Sequence, residues 1–258
     1  HPRGGGTSMC GGALGRGVVI DCSRFMRRIL GGVGDAVRVQ PGVIGGQLDR
    51  HLARRRRCLG PDPSNAMSST IGGMIGRDAS GSRFLVRGSV RDRITAAEVV
   101  LADGTVVQMA PVATAQVEVG APPSHGITAT SPDPVSALAK GLATILETHK
   151  DVIARGQPAS RLRHGGYRLH DLHKNGLIDL PRLMAGAEGT LGVVTAVTLD
   201  SIPLDAASAV GLLVFDSLEA AAAAALRLLP LKPSACDLLD RRHLALARGT
   251  RPAFDLLI

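Results

Sequence analysis

Aromatic side chains are almost absent from this chain. Phe, Tyr and Trp make 2% of 258 residues, with no tryptophan and a single tyrosine, Tyr167. A surface that stacks nucleic-acid bases needs aromatic rings, so that class of partner lacks its usual platform. Cysteine is also scarce. Cys10, Cys22, Cys58 and Cys236 form no CxxC pair and have no histidine at finger spacing, which argues against a zinc module or an iron–sulfur site. Free thiols in a reducing cytosol are the reading that remains. The histidines form no HxxxH or HExxH pattern, so no metal site is expected. No apolar run is long enough to span a bilayer.

What the chain does have is aliphatic. Hydrophobic residues make 45%, chiefly Ala, Val, Leu and Ile, against 20% charged, and 32 glycines lie among them. This balance carries a globular core rather than disorder, and the length gives room for one good-sized domain and part of another. Branched aliphatics with many glycines suit strands, tight turns and close approach of backbone to a ligand. The net charge is +8 and the isoelectric point about 10.1. Its one dense run, Arg54 to Arg57, follows an amphipathic stretch containing Leu48 and Leu52. It reads as the cationic last turn of a helix in preference to a polynucleotide patch. An anionic cofactor or substrate accounts for the general basicity equally well.

Gly17–Asp21 is expected as a short buried strand, and Val37–Val43 as a strand turning at Pro41-Gly42. Residues 44–57 read as a helix, and residues 60–81 as a long loop. Ile94–Leu101 and Thr105–Met109 flank Asp103-Gly104, a dipeptide that supplies the positive φ values of a hairpin turn. Residues 110–132 read as a surface loop. Asp133 and Pro134 open a helix to His149, with Leu138, Leu142 and Ile145 on one face. Leu191–Leu199 and Val210–Phe215 read as strands. Ser217 then caps an alanine-rich helix that Pro230 stops.

Three segments carry the chemistry. In Pro2-Arg-Gly-Gly-Gly-Thr-Ser8, successive glycine amides can converge on phosphate oxygens, with hydroxyls from Thr7 and Ser8 and a charge from Arg3. Taken alone it reads equally as a flexible turn. It is not GxGxxG and no Walker lysine follows, nor does Ser8 have the flanking glycines of a nucleophile elbow. In the second, Gly60-Pro-Asp-Pro-Ser64 precedes Ser69-Thr-Ile-Gly-Gly-Met-Ile-Gly76 and Ser80-Gly81. Prolines set the backbone there, and Gly72, Gly73 and Gly76 open it to a ligand. So long a connection is usually functional or disordered, and Ile71, Met74 and Ile75 argue against disorder. The third is Ala185-Gly-Ala-Glu-Gly-Thr-Leu-Gly192, running into Val193-Val194. Glu188 there is either solvated or turned to a ligand.

In this order the segments resemble the FAD-binding domain of the family that includes vanillyl-alcohol oxidase and p-cresol methylhydroxylase. The nearest branch is that of bacterial D-lactate dehydrogenases, the glycolate oxidase flavin subunit and D-2-hydroxyglutarate dehydrogenase. Pro2–Ser8, Val39–Val43, Gly60–Pro63, Thr70–Gly76, Glu98–Val107, Arg163–Tyr167 and Gly186–Thr195 carry the likeness, which runs from residue 1 to about 240. It implies an α+β fold: a two-subdomain FAD-binding domain of that type over 1–205, then the start of an α/β substrate cap over 206–258. FAD would be held noncovalently, since Thr7 and Ser8 stand where some relatives carry a flavin-linked histidine. Arg3, Gly4, Gly5, Gly6, Thr7 and Ser8 would grip the pyrophosphate. Pro61, Asp62, Pro63 and Ser64, with Ser69, Ile71, Gly72, Gly73, Gly76 and Gly81, would run along the diphosphate, ribityl chain and flavin. Glu188 and Gly192 would also contact the cofactor, and backbone groups near Val193 and Val194 would meet it near its adenosine side.

The sequence departs from the family pattern at Arg77 and Asp78, at Gly165 and Ala187 (each usually Ser), and at Val86-Arg87 in place of a tyrosine. The resemblance also leads one to expect a segment before residue 1, and further cap and C-terminal segments after residue 258. It implies an enzyme in which hydride passes from a D-2-hydroxy acid (lactate, glycolate or 2-hydroxyglutarate class) to flavin. Electrons would leave to a quinone, an iron–sulfur protein or an electron-transfer protein. The setting implied is cytoplasmic, with peripheral attachment to the inner membrane compatible and no nucleic acid partner. Arg163 is a candidate for contacting flavin or a substrate carboxylate, against a plain surface arginine. Tyr167 reads as buried packing with a satisfied hydroxyl. No catalytic base is identified. Two further readings stay open: a non-catalytic flavin-binding remnant, and a basic nucleic-acid-binding protein with steep salt dependence.

Overall fold

A computed structural model describes residues 1–114, 133–160 and 166–250. In chain order the elements begin with strands β1 (Pro2–Arg3), β2 (Ile20–Asp21), β3 (Ile29–Gly31) and β4 (Ala36–Val39), then helix α1 (Gly45–Ala53) and β5 (Arg57–Cys58). Two short helices follow, α2 (Ile71–Gly76) and α3 (Phe84–Arg87), then β6 (Ile94–Val100), β7 (Val106–Met109) and β8 (Pro111–Ala113). Helices α4 (Pro134–Thr148) and α5 (Lys150–Arg155) lead to β9 (His173–Lys174), β10 (Leu177–Asp179) and α6 (Leu180–Leu183). Strands β11 (Val193–Asp200) and β12 (Ile202–Pro203) precede α7 (Leu218–Leu228) and α8 (Arg241–Thr250).

The centre is an antiparallel five-stranded sheet of order β3-β4-β11-β6-β7. Alternating side chains line its inner face, because successive residues of a strand point to opposite sides. Val39 stands opposite Val197, and Val99 opposite Val107, all buried. The hairpin read at Asp103-Gly104 forms between β6 and β7, with Gly104 at φ +87. A register shift between Val194 and Ala196 frees Thr195, whose hydroxyl donates to Glu98 Oε1 at 2.6 Å. Helix α4 starts where expected: Asp133 accepts from the amides of Val135 and Ser136 at 3.2 Å each, with Pro134 in the first turn. Its buried face is Ala139, Leu142, Ala143 and Leu146, while Ile145 is exposed. The small alanines let α4 lie close against β7 and β10, which turns the stripe away from Ile145.

Several readings are corrected. Only Ile20–Asp21 of the strand expected at Gly17–Asp21 forms, pairing in parallel with Pro2–Arg3, and it is exposed. Helix α1 stops at Ala53, so Arg54–Arg57 is not its last turn. Arg56 turns left-handed at φ +55, and Arg57 enters β5. There its guanidinium lies 2.8 Å from Asp35 and donates to the Ser201 hydroxyl at 2.7 Å. Residues 60–81 are not a plain loop, because Thr70 caps α2 within them. Residues 110–114 include β8, and the rest of that expected loop lies outside the described residues. Val210–Phe215 forms no strand, and its side chains are exposed. Ser217 does cap α7, accepting from Ala220 N. From Ile202 to Thr250 no residue is buried.

Candidate cofactor site

Three glycine-bearing loops meet above one end of the central sheet. The first, Gly4 to Ser8, leaves β1 and lies on the residues that enter α2. A Cβ added at Gly4 would sit 2.1 Å from Thr70 Oγ1, and one at Gly5 would sit 2.3 Å from the Ser68 carbonyl oxygen. Thr7 and Ser69 join hydroxyls at 3.1 Å. Only glycine permits this approach.

The second loop is α2. Thr70 caps it by accepting from Gly73 N at 3.3 Å. Its first amides, of Ile71 and Gly72, donate to Val43 O at 2.7 Å and Pro41 O at 2.8 Å, which seats α2 on the Pro41-Gly42 turn. Its last carbonyls receive the third loop: Gly186 N donates to Ile75 O and Glu188 N to Gly76 O, each at 2.9 Å. The third loop closes back on the first, because a Cβ at Gly189 would fall 2.4 Å from Pro2 Cγ. Each loop therefore touches the other two.

Between them is a cleft with about 900 Å³ of empty space, solvent included. Of the residues read from sequence, Arg3, Gly4, Gly5, Gly6, Thr7, Ser8, Gly72, Gly73, Gly76, Glu188, Gly192 and Val194 line it. The others stand around it. Asp62 pairs with Arg83, 3.3 Å away, Gly81 packs on the Asp62 carbonyl, and Pro61–Ser64 is not among the residues lining the cleft. Ser69 and Ile71 are buried beneath the cleft, and Val193 pairs with Val100 at its edge. Arg163 lies outside the described residues. Tyr167 is 46% exposed, not buried, and its hydroxyl pairs with that of Thr190 at 2.6 Å.

The lining also includes Pro2, Gly12, Ala13, Cys22, Pro41, Thr70, Ile75, Arg77, Met184 and Gly189, none of them singled out from the sequence as site residues. Pro41, Thr70, Ile75 and Gly189 sit inside the quoted motifs and could have been included. Cys22 and Met184 carry no local signal. Arg77, a departure from the family pattern in the sequence, is a second cation of the cleft beside Arg3.

The donor set suits a diphosphate joined to flat, largely apolar rings. Among the described residues, no acceptor takes up the amides of Gly4 to Ser8, which leaves a run of donors for anionic oxygens. Two guanidiniums add positive charge, while Ala13, Pro41, Ile75, Met184 and Val194 supply apolar wall. Burial pushes the Cys22 thiol up, so it lines the cleft uncharged. The lining has one carboxylate, Glu188, and no histidine. Among the described residues no three His, Cys, Asp or Glu side chains gather where a metal could sit. Beneath the cleft Asp78 is fully buried. Burial raises its carboxyl, but the Ser89 hydroxyl and the Arg91 guanidinium outweigh this and hold it below the ordinary carboxylate range.

The fold is a mixed helix-and-sheet domain with a glycine-lined, cationic cleft. Residues 1–110 match the family described as FAD binding domain. The chain is 32% identical over 251 residues to D-2-hydroxyglutarate dehydrogenase of Pantoea ananatis (strain AJ13355), covering 96% of this chain and 24% of that protein. The enzyme of the same name from Escherichia coli (strain K12) is 29% identical over the same shares. Glycolate oxidase subunit GlcD of Bacillus subtilis (strain 168) is 28% identical, covering 93% of this chain and 40% of that subunit. The chain thus spans about a quarter of the length of the dehydrogenases it matches.

Proposed function

We propose that this chain holds FAD noncovalently in the three-loop cleft and serves an oxidoreductase that acts on a D-2-hydroxy acid. The observation that carries this is the closed contact of the three loops around a cleft lined by Gly4 to Ser8, whose amides no acceptor takes up among the described residues, and by Arg3 and Arg77. Pyrophosphate needs several donors at short range, and backbone amides with guanidiniums supply them. In this reading Gly72, Gly73 and Gly76 let the backbone of α2 approach the cofactor, and Glu188, Gly192 and Val194 border it on the third loop. Pro61, Asp62, Pro63, Ser64 and Gly81 act behind the cleft by fixing the chain that leads into α2, as do Ser69 and Ile71 beneath it. Bound FAD would supply the hydride acceptor. The chain's own residues orient it and keep its phosphates neutralised.

The names of the matching relatives support the 2-hydroxy-acid class: 2-hydroxyglutarate, glycolate and lactate. A separate electron acceptor (a quinone, an iron–sulfur protein or an electron-transfer protein) is part of the same proposal. So is the division into an FAD-binding domain over 1–205 and the beginning of a cap over 206–258. No helix among the described residues is long and apolar enough to cross a membrane. A flavin-binding chain without turnover of its own is the second reading, favoured by the absence of any buried residue between Ile202 and Thr250.

The test is to purify the chain, titrate it with FAD and record the visible spectrum. D-2-hydroxyglutarate, glycolate or D-lactate is then added without oxygen. FAD uptake with bleaching by one acid supports the enzyme reading and names the substrate. Uptake without bleaching by any of them supports the second reading. A colourless protein that takes up no FAD sinks both.

A further inference from the structure

Asp78 and Arg91 lie under the cleft with neither side chain exposed, and neither lines it. Ion pairs such as Arg38–Glu98 and Arg57–Asp35 keep at least one partner in solvent, and Arg168, itself paired with Asp171, reaches the Asp78 carboxylate at 3.6 Å as a second, less buried cation. Arg91 divides its donors between two loops. Its backbone amide and Nε each donate to the Asp78 carboxylate at 3.1 Å, on the residue just past the end of α2. Nη1 donates to Arg182 O at 2.9 Å and Nη2 to Ala185 O, where the third loop begins. The next residue grips the same stretch from its other side, since Arg182 Nη2 donates to Asp92 Oδ1 at 2.6 Å. Asp78 holds φ +51, a left-handed conformation that a non-glycine residue keeps where its surroundings over-determine it.

Stability alone does not account for this arrangement. Desolvation of two buried charges offsets their attraction, and an apolar pair of similar volume often serves as well or better. An apolar pair cannot donate to two carbonyls, however. Those carbonyls aim the chain that carries Gly186 and Glu188, whose amides clip the third loop to Ile75 O and Gly76 O. We propose that the buried Asp78–Arg91 pair is a positioning device that holds the second and third loops in register, so that cofactor affinity depends on it beyond its effect on stability. The affinity part rests on the FAD reading of the cleft.

The test compares the unsubstituted chain with Arg91→Met, the apolar pair Asp78→Leu/Arg91→Met, and a control, Arg57→Met, whose ion pair is remote from the cleft. Three quantities are read: melting temperature without FAD, FAD dissociation constant, and hydrogen exchange at the Gly186 and Glu188 amides. The apolar pair is expected to recover melting temperature relative to Arg91→Met. It should still bind FAD about tenfold or more weakly and exchange both amides about tenfold faster than the unsubstituted chain. Arg57→Met should lower melting and leave FAD affinity and both amides unchanged. Recovery of FAD affinity and amide protection together with melting would overturn the proposal, as would equal FAD loss in the control. If Arg91→Met does not fold, the apolar pair and Arg91→Lys decide. Lysine keeps the charge but cannot span both carbonyls, so it should melt below the unsubstituted chain, bind FAD more weakly and exchange both amides faster. If the unsubstituted chain takes up no FAD, the flavin reading fails, and amide exchange in the same variants decides the register by itself.

Discussion

At the residue scale, Gly4 and Gly5 are neighbours with different obstacles. A Cβ at Gly4 meets the Thr70 hydroxyl, a side-chain atom, whereas one at Gly5 meets the Ser68 carbonyl of the backbone. Either alanine overpacks the junction, at about 1–3 kcal/mol, which corresponds to a loss of FAD affinity of roughly fivefold to a hundredfold if the first loop shifts. Thr70→Ala removes the Gly4 obstacle and not the Gly5 one. FAD titrations of a double-mutant cycle should show coupling between Gly4→Ala and Thr70→Ala, and none between Gly5→Ala and Thr70→Ala. Equal coupling in both pairs would contradict the placement of the first loop.

Two acids, the half-buried Asp49 and the buried Asp78, should titrate with opposite sign. Burial raises Asp49, although its carboxylate accepts from Leu59 N at 2.8 Å. A raised folded value means that stability falls as pH rises from the unfolded carboxyl range through the folded one. Asp49→Asn keeps an oxygen for Leu59 N without the charge, so it should melt higher than the unsubstituted chain at neutral pH, with the gain vanishing on acidification. Asp78 is lowered, so its contribution is full above the ordinary carboxyl range and is lost as pH falls through its depressed value. Asp78→Asn should therefore melt lower at neutral pH, with the deficit shrinking in acid. Melting temperatures across the acidic range check both signs.

At the scale of elements, β11 joins the two halves of the central sheet, between β4 and β6. Leu199 is fully buried there. Leu199→Ala should cost about 2–5 kcal/mol in urea unfolding, since the strand is held on both sides and cannot close the gap. The strand was readable at Leu191–Leu199 from its branched apolar residues, as was the β6–β7 hairpin from Asp103-Gly104. Helix α2 was not. Thr70-Ile-Gly-Gly-Met-Ile-Gly76 has three glycines in six helical positions, and intrinsic propensity opposes a helix there. It forms because the Thr70 cap, the Val43 and Pro41 carbonyls and the third loop take up its end groups. The Arg54–Arg57 reading failed for a related reason. The partners that draw Arg57 into a strand, Asp35 and Ser201, are distant in sequence.

At the scale of the whole molecule, burial is uneven. The core gathers the central sheet, α1, α2, α4 and the segment around Leu172 to Ala185, while no residue from Ile202 to Thr250 is buried. Val210, Leu213, Val214 and Leu231 stand exposed in that stretch. Few buried contacts mean low local stability. Brief proteolysis should therefore cut between about residues 205 and 240 before it cuts in residues 36–100 or β11, and mass spectrometry of the first fragments would show where. Early cuts within β6 or β11 would contradict this ordering.

The order of the glycine motifs by itself carried the resemblance to flavin-binding domains, while each motif alone established only a local freedom of backbone conformation and a density of donors. Local pattern also located the β6–β7 hairpin, the Asp133 cap of α4 and the Ser217 cap of α7, whose causes lie within a few residues. Only the tertiary structure decided which motif residues face the cleft and which stand behind it. It alone placed Arg77, Cys22 and Met184 in the lining and joined Asp78 to Arg91 beneath. Those outcomes depend on contacts between residues far apart in sequence, and such contacts leave no periodic trace in the chain.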